Sequence, residues 1–164
     1  MNGGLKPAVN KKLRDQIAIG ALKFNDLSQN RTRDIVFNWE KMLSFDGCSG
    51  PFLQYSHARA CKLQVASRKS QDFQSLKFTD DFERKLAKKI LQFSDRVFAA
   101  AENLAPNILA EFLFELCKTF NQFYENCPIL NSANCATRLF LVGKFRRTLA
   151  RGLELLGIFA PEKM

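Results

Sequence analysis

From Lys11 to Leu27, apolar side chains return at three- and four-residue steps (Leu13, Ile17, Ala21 and Phe24), which puts them on one face of a predicted helix. The polar run SQNRTRD that follows has no period and predicts a connector. In residues 34–45, DIVFNWEKMLSF, the residues Ile35, Phe37 and Trp39 alternate as in a strand, and a short helical turn follows. FDGCSGP, with two glycines and one proline, predicts a loop. Pro51 suits the first position of the next helix, where its missing N–H is not needed.

Helical spacing continues to the end of the chain. The segment PFLQYSHARACKLQVASRK carries Leu53, Ser56, Ala60 and Leu63 on one stripe, small enough in part to let another helix approach closely. Residues 68–79 are polar and predict a loop. Asp80 and Glu83 have the spacing of a capping box, ahead of the stripe Phe82, Leu86, Ile90 and Phe93. A shorter helix over 94–104 starts at a Ser or Asp cap. Pro106 opens a long helix with Leu109, Leu113, Leu116, Phe120, Phe123 and Cys127 in step, and Pro128 ends it. The last helix spans about 132–156, with Val142, Phe145, Leu149 and Leu153 in step and Gly157 as its C′ residue. Four or five amphipathic helices joined by short loops predict an all-α helical bundle.

Composition agrees with a folded domain and adds one bias. At 46% hydrophobic and 25% charged, the 164-residue chain has the balance of a globular protein, not of a disordered one. Sixteen Phe against two Tyr and one Trp predict an interior built on phenylalanine rings. A net charge of +9 favours a polyanionic partner, although an inert basic surface has the same arithmetic. The apolar runs are far shorter than the roughly 20 residues of a membrane span. The opening MNGGLKPAVNKK lacks the apolar core of a secretory signal, so a cytoplasmic location is expected.

Catalytic chemistry finds little to work with. Five cysteines (Cys48, Cys61, Cys117, Cys127 and Cys135) form no C-x-x-C pair, and their odd number argues for reduced, buried thiols rather than a disulfide or metal scaffold. His57 is the only histidine, and a structural role facing a loop is expected for it. No Gly-rich phosphate loop, HExxH or GxSxG motif occurs. No catalytic residue, metal site or cofactor site is therefore assigned.

Binding chemistry is better represented. Lys144, Arg147 and Arg151 share one face of the last helix, and with Arg138 they have the pattern of a phosphate-backbone contact or, equally, of a solvated face. Tyr55 and Tyr124 retain hydroxyls in a chain that packs with Phe. Exposed, such rings stack on unpaired RNA bases, while buried they are ordinary core tyrosines.

The stretch DLSQNRTRDIVFNWEKMLSFDGCSGPFLQYSHAR resembles the passage in arginyl-tRNA synthetases from the class I catalytic domain to the C-terminal helical domain. The ending RTLARGLELLGIFAPEKM resembles the close of the same enzymes. The resemblance runs in order from about Ile17 to Met164. It implies a remnant of the catalytic domain at 1–45 and an α-helical anticodon-binding domain of the DALR type at 46–164. It further implies tRNA(Arg) as partner, with Tyr55, Tyr124 and Met164 at the anticodon bases and the basic residues Arg138, Lys144, Arg147 and Arg151 on phosphates. The family's HIGH and KMSK regions, and with them the contacts to ATP and arginine, have no counterpart in these residues, so the chain is expected to be inactive alone. Phe52 stands where the family usually has Tyr. Two other readings accompany this one: an adaptor that reuses the fold for a protein partner, and a piece that completes a separately supplied catalytic chain through residues 11–45.

Overall fold

The computed structural model describes residues 11–34, 37–45, 47–66, 76–130 and 132–164. They form seven helices and no strand: α1 (Lys11–Leu27), α2 (Trp39–Leu43), α3 (Gly50–Ala66), α4 (Asp81–Leu91), α5 (Phe93–Glu102), α6 (Pro106–Asn126) and α7 (Cys135–Leu155). The all-α reading holds, with more helices than the four or five expected.

Two of the junctions have local causes. Only Gln92 separates α4 from α5, so the break is a single-residue change of direction and not a capped loop. Helix α2 is the expected short helical turn, but it starts already at Trp39, inside the strand-like alternation: Asn38 is extended (φ −140°, ψ 111°) and its Oδ1 accepts from the Lys41 amide at 3.0 Å, an N-cap that sets the start. Phe37 and Trp39 meet edge to face at 4.7 Å. Ile35 lies outside the described residues.

Helix α6 is the centre of the bundle. Its apolar stripe, from Leu109 through Leu116 to Phe123, is buried against α4, α5, α7 and α3. Phe120 stacks flat on Phe145 of α7 at 3.9 Å between ring centroids, which confirms the phenylalanine-built interior. Each such ring contributes about 1.5–3 kcal/mol by leaving water. Phe52 is part of this core, edge-on to Phe114 at 5.6 Å, so an aromatic hydroxyl at this position would meet a packed interior and not solvent. Helix α1 closes on α3 through glycine: a Cβ on Gly50 would stand 2.5 Å from the carbonyl oxygen of Gly20.

The capping box forms as read, with the Phe82 amide donating to Asp80 Oδ1 at 2.8 Å and the Asp80 amide donating to Glu83 Oε2 at 3.3 Å. Gly157 sits at φ +66°, where a Cβ is unfavourable. It allows the Ile158 amide to reach Leu153 O at 2.8 Å and its own amide to reach Glu154 O at 2.9 Å, the paired bonds of a Schellman end. The coil that leaves α7 then folds back over α1 and α3: Lys23 Nζ donates to Gly157 O at 2.6 Å.

Candidate nucleic-acid interface

Tyr55 and Tyr124 project from α3 and α6 on the same side of the bundle, 40% and 39% exposed. Between them lies a residue the sequence reading passed over. The Arg59 guanidinium is 4.9 Å from the centroid of each ring. Its Nη1 donates to Asn121 Oδ1 at 3.2 Å and its Nη2 to the Tyr55 hydroxyl at 3.4 Å. Helical spacing explains the arrangement: Tyr55 and Arg59 are one turn apart on α3, and Asn121 and Tyr124 nearly one turn apart on α6. The i, i+4 relation of Tyr55 to Arg59 was the available signal. Phe45 meets Tyr55 edge-on at 6.2 Å, and Phe120 of the core lies 6.3 Å from Tyr124. Two phenols and a guanidinium plane are thus held partly open to solvent, which is the chemistry that stacks on unpaired bases.

The basic residues divide. Lys144, Arg147 and Arg151 are exposed on α7 as their spacing required. Lys144 Nζ lies 5.1 Å from the Phe140 ring centroid, and Arg151 Nη1 pairs with Glu154 at 2.7 Å. Arg138 departs from the exposed, phosphate-facing role expected of it: its side chain is turned into the bundle, and the residue is 9% exposed. Its Nε donates to Glu83 Oε1 at 2.6 Å and its Nη1 to Pro128 O at 2.7 Å. The Glu83 side chain is fully buried, and a buried carboxylate at the head of α4 recruits the nearest cation from α7. Arg146 also turns inward, towards Cys61 and His57.

His57 is buried against coil, as a structural histidine would be, with Nδ1 2.9 Å from Pro161 O. Burial is the larger influence and holds its pKa below the ordinary value despite the bond to Pro161, with Arg146 acting in the same direction as burial. All five cysteines are free thiols; Cys61, Cys117 and Cys127 are buried, whereas Cys48 is exposed. Burial pushes Cys127 up to about 11, far from a reactive thiolate. Met164 is 40% exposed at the end of the C-terminal coil. A separate groove of about 730 Å³ opens between α1, α2 and α6, lined by Asn25, Arg33, Lys41, Glu111 and Glu115 among others; its mixed charge gives no selectivity for an anion. No helix among the described residues is long and apolar enough to cross a membrane.

Fold and face together define an all-helical recognition domain with an aromatic and cationic surface. Residues 53–164 match the DALR anticodon binding domain, and the chain belongs to that family. It is similar to the arginine–tRNA ligase of Haemophilus ducreyi, 40% identical over 154 residues that cover 92% of this chain and 28% of the relative. The ligase of Actinobacillus succinogenes is 42% identical over 156 residues, covering 92% of this chain and 27% of its own. Among solved structures, Thermus thermophilus arginyl-tRNA synthetase superposes with a TM-score of 0.86 at 34% identity, covering 97% of this chain and 29% of that one. The chain therefore spans less than a third of the length of the relatives it matches. The family membership does not favour the adaptor reading.

Proposed function

We propose that this chain is the anticodon-arm-binding region of an arginine–tRNA ligase. It holds tRNA(Arg) in the cytoplasm and takes part in arginyl-tRNA formation only together with a catalytic domain that supplies the ATP and arginine sites. In this reading residues 1–45 are the end of that catalytic domain and 46–164 the anticodon-binding domain. The observation that carries it is the Arg59 guanidinium set between two half-open phenols, 4.9 Å from each. Tyr55 and Tyr124 stack on anticodon bases, each ring contributing about 1–3 kcal/mol, and Met164 packs beside them. Lys144, Arg147 and Arg151 attract phosphates without reading sequence.

Titration with tRNA(Arg) and with an anticodon-substituted tRNA, at two salt concentrations, tests the proposal. Binding in the micromolar range or tighter that depends on the anticodon supports it; equally weak binding to any RNA overturns it. Arg147→Ala is expected to weaken every RNA alike and to lower the salt slope by about one unit.

The catalytic partner has a surface to meet. Ile19, Leu22, Trp39, Leu43 and Phe45 are large apolar side chains left exposed on α1, α2 and the residues beside them, Trp39 at 61%. Apolar surface of this kind is normally covered by another protein layer. The catalytic part of an arginine–tRNA ligase, prepared without its own helical region, is expected to bind this chain and to lose it on Trp39→Glu with Leu22→Glu. Failure of the unmodified pair to associate would remove this second surface from the model of function.

A further inference from the structure

The helical turn that shows Tyr55 and Arg59 to solvent has a second task on its buried side. Gln54, with 0% exposure, uses Nε2 to donate to Gln16 O of α1 at 3.2 Å and to Phe159 O of the C-terminal coil at 2.8 Å. Its Oε1 is buried without a hydrogen-bond partner, a cost that the fold accepts for the sake of the donor end. Three residues on, His57 is 3% exposed with Nδ1 against Pro161 O at 2.9 Å. Carbonyl oxygens only accept, so the Nδ1 tautomer carries the proton and donates. Burial favours the neutral ring, against the bond to Pro161 O, which by itself favours the charged one; Nδ1 carries a proton and donates in either form. Gln54 is wedged in place, since a Cβ on Gly20 would lie 2.7 Å from its Nε2. Two side chains flanking Tyr55 in sequence thus pin alternate carbonyls of one exposed-to-buried strap, Gly157 to Met164.

We propose that Gln54 and His57 are positioning residues: they lock the C-terminal strap across α3, so that Met164 and the Tyr55–Arg59–Tyr124 face are fixed relative to one another before RNA arrives. This rests on the RNA-binding reading above. The physical reason is preorganisation. A coil of eight residues left free would have to be ordered on binding, and that ordering would be drawn from the affinity. Tied at Phe159 and Pro161, the strap has already lost that freedom. Neither side chain touches the RNA in this scheme, because both point into the protein.

The test combines Gln54→Met and His57→Phe, which keep bulk and remove the donors, with a chain ending at Ile158, which removes both acceptors. Without RNA, faster amide exchange over 159–164 in either variant, at an unchanged exchange rate in α6, shows the strap released. With RNA, each variant is expected to bind tRNA(Arg) about tenfold more weakly, the size of one lost buried hydrogen bond. Binding to the anticodon-substituted tRNA should change less than twofold. In the chain ending at Ile158 the same substitutions should cost nothing further, whereas a merely structural role would persist there. His57→Gln, which can still donate to Pro161 O, should recover most of the loss. Released straps with unchanged affinity, or equal losses in full and shortened chains, overturn the positioning role alone. Anticodon-blind binding by the unmodified chain overturns the reading beneath it as well.

Discussion

Arg138→Met is expected to destabilise the domain by about 3–5 kcal/mol, the largest effect of any substitution considered, while leaving the Tyr55–Arg59–Tyr124 face chemically intact. Glu83 explains the size. Its carboxylate is out of water and receives the Arg138 Nε at 2.6 Å, the Thr79 amide at 2.7 Å and Asn134 Nδ2 at 3.0 Å. Removing the cation leaves a buried charge with neutral donors only. Adding Glu83→Gln to Arg138→Met should return part of the loss, because the amide keeps an acceptor for Thr79 and carries no charge. Urea unfolding of the two single variants and the double variant gives the coupling.

Acid unfolding checks the same group independently. Burial alone would push the Glu83 pKa up, but Arg138, the Thr79 and Asp80 amides and Asn134 together hold it below the usual carboxylate value. A depressed folded-state pKa means that its stabilisation is complete above the unfolded value of about 4.3 and is lost as pH falls through the folded one. Glu83→Gln should therefore flatten the stability curve below about pH 4.3. A curve parallel to that of the unmodified chain would contradict the ion pair as the controlling contact.

Glu83 also shows how much of this protein is legible in its sequence. Its place three residues after Asp80 identifies the start of α4, because capping is local and spacing suffices. Its pairing with Arg138 is invisible at that level, since the partner stands on another helix 55 positions away. Counted along α7 alone, Arg138 is one more cation of a basic face; placed in three dimensions it is the counter-ion of a buried acid. The stripes of α1, α4, α6 and α7 were readable because burial imposes the 3.6-residue period. The strand-like Phe37 and Trp39 misled because two exposed aromatics carry no burial period, and the informative residue there was the cap, Asn38. The site followed the same rule. Both tyrosines were identified by their rarity, but the guanidinium joining them needed the α3–α6 crossing to become visible.

That guanidinium gives the functional prediction with the largest effect. Arg59→Ala is expected to weaken tRNA(Arg) binding by tenfold or more while shifting the melting temperature little, since the site is at the surface. Arg59 shares its charge with both rings at 4.9 Å and is aimed by Asn121 and the Tyr55 hydroxyl. Each cation–ring contact at an exposed site is worth about 0.5–1 kcal/mol, and losing both also frees two aromatic side chains that a base would have to order again. Arg59→Lys should recover only a minor part. An ammonium keeps the charge but has no plane to lie between two rings and no fork to reach Asn121 and Tyr55 together. Tyr124→Ala should fall in the same range, through loss of a stacking platform worth about 1–3 kcal/mol. The contrast with Arg147→Ala is what discriminates. A phosphate contact affects all RNAs equally and changes the salt slope, whereas the Arg59 and Tyr124 variants should lose the preference for the native anticodon at an almost unchanged slope. Measured on two tRNAs at two salt concentrations, a uniform loss in the Arg59 variant would reduce this cluster to one more positive charge on a basic surface.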